Sequence, residues 1–160
     1  MDFNPTHEIK TIGLVLDQSN RLEQIMKEII TSYIRPRERT KDFVEINVLN
    51  NSVVSFASKI KLILAINNRE GLVKLDQNKL HRLLSIRNAF AHNDVISGIR
   101  VHVPHDPGQS TKVYMVLDRM KGDGGVETLS RDDAYADFYK INLDIEPVIQ
   151  EMAKKVRALM

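Results

Sequence analysis

Arg87, Asn88 and His92 stand close together in Ile86-Arg87-Asn88-Ala89-Phe90-Ala91-His92, and their side chains have complementary chemistries. A guanidinium grips an anion, a neutral amide orients it, and an imidazole moves a proton near neutral pH. On a helix turning by about 100° per residue, Leu80, Leu83, Leu84, Ile86, Phe90 and Ala91 form one apolar face, with Arg87 near its middle. A guanidinium keeps its charge, and an unpaired buried charge costs several kcal/mol, so Arg87 requires an anion from the protein or from a ligand. Inside the protein the counter-ion would be a core-facing acid of the first helix, Asp17 or Glu23, in a buried ion pair.

The same projection places His81, Ser85, Asn88 and His92 within roughly 60° of one another, on a polar stripe beside the apolar face. Arg87, Asn88 and His92 are the candidate catalytic residues, with Ser85 and His81 as candidate substrate-binding residues. Plainer roles exist for three of them. His92 reads equally as a cation at a helix C-terminus, His81 as a solvated surface residue, and Asn88 as a tie for the loop that follows. On an unbroken helix Arg87 and His92 diverge by about 140°. Either the helix frays near Ala91, as Asn93-Asp94 would permit, or the two groups meet across a two-fold axis.

Arg87-Asn88, a short gap and then His92 resembles the arginine, polar residue, gap, histidine motif of the HEPN superfamily, small helical domains of prokaryotic ribonuclease toxins, defence systems and regulators. The preceding stretch, Ser55 to Ile66, followed by a short link into Leu80, Leu83, Leu84 and Ile86-Arg87-Asn88, is similar to proteins described as mannitol-operon repressor-like. The resemblance implies a helical bundle in which Arg87 and His92 of two protomers line one cleft, with Asn88 beside them. It further implies an endoribonuclease in which the ribose 2′-hydroxyl attacks the adjacent phosphate, His92 moves the proton and Arg87 clamps the charge, with no metal and no cofactor. The implied partners are RNA, a second copy of the chain and a cognate antitoxin or regulatory protein. Some relatives regulated by a nucleotidyltransferase carry Tyr two residues after the histidine; this chain has Asp94. The competing reading is a non-catalytic regulator or dimeric scaffold that binds nucleotide, RNA or protein.

Bulk properties set outer bounds. At 160 residues the chain reads as a single helical domain, residues 1–160, with residues 97–129 a β-hairpin excursion. Its 42% hydrophobic and 28% charged composition is that of a globular protein. With 23 basic against 21 acidic residues the net charge is +2, which permits nucleic-acid binding without demanding it. The absence of cysteine removes disulfides, thiol catalysis and Cys-ligated zinc. With no apolar run near the ~20 residues a membrane span needs, and no basic-plus-apolar leader at Met1-Asp2-Phe3-Asn4-Pro5, the expectation is a cytoplasmic protein without membrane contact.

The elements that must position the motif follow from periodicity. Thr6 is a cap for a first helix carrying Ile12, Val15, Leu22, Ile25, Met26, Ile29, Ile30 and Tyr33, ending before Pro36. Arg35 to Lys41 is a basic connector, read either as an RNA-backbone contact or as a solvated loop, and Asp42 to Leu49 fits a short helix or an extended piece. Ser52 is a cap for a helix carrying Val53, Phe56, Ala57, Ile60, Ile63 and Leu64, with Gly71 as its stop. Asp76 caps the motif helix. Beyond Asp94 the period changes to two: Ile99, Val101 and Val103, then Val113, Met115 and Leu117, read as strands, with a third at Val126 to Leu129. Asp106-Pro107-Gly108 and Gly122-Asp123-Gly124-Gly125 supply turns. Ser130-Arg131-Asp132-Asp133 resembles a capping box. Pro147 argues for a break, with Asp144 capping a fresh C-terminal helix, although one kinked helix fits as well.

Other constellations carry less. His102-Val103-Pro104-His105 has no carboxylate pattern to complete a metal site except Asp106. The glycines of Gly122 to Gly125 lack the Lys-Ser/Thr ending of a phosphate loop. Ser55 and Ser58 have no histidine at a recognisable spacing for a triad.

Overall fold

Apolar residues recurring at intervals of three and four build the longest elements. The computed structural model describes residues 5–92, 99–102, 112–120 and 124–159, and its first helix, α1, runs Pro5–Ile34. Thr6 therefore lies within the helix and is not its cap. Arg35 closes α1 in the left-handed region at φ 53°, its N–H donating to the Thr31 carbonyl at 3.0 Å. A short helix α2 (Glu38–Asp42) and a π-helical turn (Phe43–Val48) follow, so the basic connector is partly helical and the ambiguous segment after it is helical too. Neither buries a residue fully; the buried Leu49 just beyond anchors them.

Helix α3 (Phe56–Glu70) begins later than the sequence pattern suggests. Ser55 is the cap, its hydroxyl accepting from the Ser58 N–H at 3.2 Å. Ser52 instead donates to Asn50 Oδ1 through both its N–H and its hydroxyl, at 3.0 and 2.9 Å, closing a turn that leaves Val53 exposed rather than in the core. Gly71 ends α3 at φ 62°, where its missing Cβ matters, and the Asn67 side chain clamps the onward chain by two bonds of 3.0 Å to Val73. Helix α4 (Gln77–His92) opens on Asp76, whose carboxylate accepts from the Lys79 N–H at 3.1 Å.

Three antiparallel strands follow, β1 (Ile99–His102), β2 (Lys112–Met120) and β3 (Val126–Ser130), in the order β1-β2-β3. Val101 lies opposite Val113 and Leu117 opposite Leu129, the pairing expected of a period-two pattern. Asn93-Asp94, the Asp106-Pro107-Gly108 turn, Gly122-Asp123 and His105 lie outside the described residues. Ser130 then caps α5 (Arg131–Ala158), its hydroxyl 3.5 Å from the Asp133 N–H. There is no second helix start at Asp144: α5 passes through Pro147 unbroken. Pro147 removes only the bond to the Leu143 carbonyl. Both residues are exposed, and Ile141, Ile145, Ile149, Met152 and Val156 keep one buried stripe through the helix.

The fold is mainly helical with a small antiparallel sheet, arranged as two compact units. The first unit comprises Met1–Asp17 and Ser85–Lys140, and its buried apolar residues include Val15, Ile86, Phe90, Leu117 and Phe138. The second comprises Gln18–Leu84 and Ile141–Met160, with Leu22, Met26, Ile60, Ile63, Leu83 and Ile149 among its buried residues. Each such side chain removed from water contributes about 1.5–3 kcal/mol. Among the described residues no helix is long and apolar enough to cross a membrane.

Candidate functional site

The chemistry-bearing residues sit on the C-terminal half of α4, and the helix wheel decides their surroundings. Leu80, Leu83, Ile86, Ala89 and Phe90 are buried, whereas Leu84 is half-buried and Ala91 exposed. The buried arc is thus rotated from the expected one. Its centre lies near Leu83 and Phe90, and Arg87 falls on its margin, half-buried rather than submerged in the middle.

At that margin the guanidinium is only partly satisfied. Arg87 Nη1 donates to Asn88 Oδ1 at 3.1 Å, and Arg87 Nε is buried with no partner among the described residues. No carboxylate among the described residues pairs with Arg87. Asp17 is exposed, and Glu23 is engaged by Lys59 and Asn51. The intramolecular ion pair that would have explained a charge in this position is therefore not made here. A buried N–H without an acceptor costs about 1–3 kcal/mol, and an oxyanion approaching the fork is the natural acceptor.

Asn88 is half-buried and, by accepting from Arg87, orients the fork along the helix surface. Ser85 is half-buried on the same stripe, and His92, the last residue of α4, is exposed. α4 remains helical through His92, so no fraying before that residue turns the imidazole towards Arg87. The first unit brings Ser85, Arg87, Asn88 and His92 onto one helix segment, with Arg87 and His92 about 140° apart around it. His81 belongs to the second unit, exposed and 3.3 Å from Gln77 through its Nε2. His102 is the last residue of β1. Among the described residues no group of three His, Asp or Glu side chains is placed to hold a metal ion.

The sequence pattern gave no role to Lys59, one of the buried charges of the structure. Lys59 is wholly buried; its Nζ reaches Glu23 Oε1 at 2.6 Å and Asn51 Oδ1 at 2.8 Å, and Asn51 Nδ2 donates to Glu23 Oε2 at 2.9 Å. The signal was present in the sequence. Lys59 follows Phe56 by three and precedes Ile63 by four, on the apolar stripe of α3, as Arg87 interrupts that of α4. Lys59 Nζ has a carboxylate and an amide oxygen at hydrogen-bonding distance, whereas Arg87 has no carboxylate partner among the described residues.

Comparison of the chain with family models, with curated proteins and with solved structures finds no match.

Proposed function

We propose that the protein is an endoribonuclease of HEPN type whose site is built from Arg87, Asn88 and His92. The observation that carries the reading is Arg87: a permanently charged, half-buried fork with an unpartnered Nε–H, no carboxylate partner among the described residues, and an amide that fixes its direction. Such a group is suited to a phosphate, which accepts two parallel N–H bonds. In the proposed step the 2′-hydroxyl loses its proton to an imidazole, its oxygen forms a bond to the adjacent phosphorus, and the bond to the 5′-oxygen breaks as that oxygen takes up a proton. The products are a 2′,3′-cyclic phosphate and a 5′-hydroxyl. His92 moves the proton and Arg87 stabilises the charge that builds on the phosphorane oxygens. The nucleophile belongs to the substrate, so the step calls for no metal-bound water.

Because Arg87 and His92 diverge around α4, the complete site draws on two copies of the chain, and its other expected partners are RNA and a cognate antitoxin. The same divergence is what favours the second reading, a non-catalytic regulator or scaffold using these residues to bind nucleotide, RNA or protein. Incubation with several RNAs in EDTA separates the two. The nuclease reading expects cleavage with 2′,3′-cyclic ends, lowered about 100-fold or more by Arg87→Ala and by His92→Ala and unchanged by His102→Ala, all three variants remaining folded with one cooperative melting transition. A well-folded wild-type protein that cuts none of them, or cleavage that survives both substitutions, passes the role to the regulator.

A further inference from the structure

We propose that a cleft at the C-terminal end of α1 binds a small zwitterion, a molecule carrying an ammonium and a carboxylate, of the size of a free amino acid. The cleft belongs wholly to the second unit and has a volume of about 420 Å³, within the range of small-molecule sites. Its lining carries both signs of charge: Arg35, Lys41 and Arg157 against Glu28, Glu38 and Glu45.

Part of this set is internally matched. Arg157 Nη2 lies 3.7 Å from Glu28 Oε2, and its Nε donates to the Ala153 carbonyl at 3.3 Å. Lys41, Glu38 and Glu45 have no ion partner among the described residues, and Arg35 commits one N–H, from Nη2 to the Leu159 carbonyl at 2.7 Å. What remains is two cations, Arg35 and Lys41, and two carboxylates, Glu38 and Glu45. An anion alone would meet the cations while facing the carboxylates, and a polyamine would meet the reverse. A ligand of both signs satisfies each pair, and specificity of this kind rests on charge complementarity.

Two further observations separate the cleft from an ordinary solvated surface. Thr31 lines it, is only 4% exposed, and has a hydroxyl with no hydrogen-bond partner among the described residues. An unmade bond at a buried hydroxyl costs free energy that a ligand's ammonium or carboxylate would recover. Arg35 adopts φ 53°, a conformation that glycine or asparagine takes at a helix end at lower cost, and here the bond to Leu159 holds the arginine at the cleft. Strain of this kind concentrates at binding sites.

The test is a nuclear magnetic resonance titration of the isotope-labelled full chain with L-alanine, L-glutamate and L-lysine at millimolar concentration, with inorganic phosphate and spermidine as single-sign controls. The expected result is a saturable shift of amide resonances between Thr31 and Glu45 with at least one amino acid and with neither control. Lys41→Ala and Glu45→Ala, neither at a fully buried position, should each weaken binding by about tenfold or more while leaving the melting temperature unchanged. Thr31→Val, which keeps the shape and removes the unmatched hydroxyl, should raise the melting temperature and weaken binding. No saturable shift with any of the three amino acids overturns the proposal, as does a saturable shift with phosphate or spermidine, or undiminished affinity in both Lys41→Ala and Glu45→Ala.

Discussion

Lys59 and Arg87 are both cations on helices whose neighbouring positions are apolar, and their surroundings give them opposite consequences. Lys59 Nζ and Glu23 form a closed set with Asn51, so removing one member strands the other away from water. Lys59→Met should therefore destabilise the protein by about 3–5 kcal/mol, whereas Glu23→Leu with Lys59→Met should recover most of that loss, since a buried pair often contributes little over an apolar replacement. Urea denaturation of the two single variants and the double variant measures this, and additive losses would show that the pair is not the unit it appears on the structure. The Tyr33 hydroxyl donates to Glu70 Oε1 at 2.6 Å; this bond first, and desolvation second, raise the tyrosine pKa above its ordinary value of about 10. A raised folded pKa means that the contribution to stability is full below the unfolded value and is lost as pH rises through the folded one. Ultraviolet titration of tyrosinate should show one of the four tyrosines ionising late, and Glu70→Ala, which removes the acceptor, should make it ionise earlier. A late titration that persists in Glu70→Ala would assign the shift to another tyrosine.

Among the elements, those with a strong local signal were legible in the sequence. The period-two alternation around Val101 and Val113 gave the strands, Gly71 the end of α3, Asp76 the start of α4 and Ser130 the start of α5. Where two local signals compete, tertiary context decides. Ser52 and Ser55 are both good caps, but Val53 and Val54 would extend the helix past the point where Asn50 turns the chain, and the buried stripe begins at Phe56. Ser55→Ala should cost about 1 kcal/mol and Ser52→Ala distinctly less, read from melting temperatures, because only Ser55 satisfies an orphan helix N–H. Equal losses would place the helix start earlier. Pro147 misled for a related reason: a proline is a local veto, and the veto is weak where the proline and the residue four before it are exposed and the stripe from Ile141 to Val156 holds both halves of α5. The buried arc of α4 was rotated from the expected one because Ala89 and Ala91 are alike in apolarity but lie about 160° apart around the helix, on opposite flanks of the stripe, and only packing chooses Ala89.

At the scale of the whole molecule the net charge of +2 selects no partner, so the proposed function turns on how many chains complete the site. Arg87 and His92 stand out in the sequence as candidates by type and spacing, and their divergence around α4 keeps the two side chains of one chain apart. If the nuclease site pairs Arg87 of one protomer with His92 of another, the two defective variants must complement each other. An Arg87→Ala chain still offers His92, and a His92→Ala chain still offers Arg87, so a mixed dimer has one intact site and one lacking both groups. After subunit exchange in an equimolar mixture about half of the dimers are mixed, and the mixture should cleave RNA at about a quarter of the wild-type rate, although each parent alone is about 100-fold or more impaired. Sedimentation at tens of micromolar should show a dimer for the wild type and both variants. A mixture no more active than its parents, with the wild type active and dimeric, would place Arg87 and His92 in the same protomer's site; a monomeric active wild type would remove the two-fold site altogether.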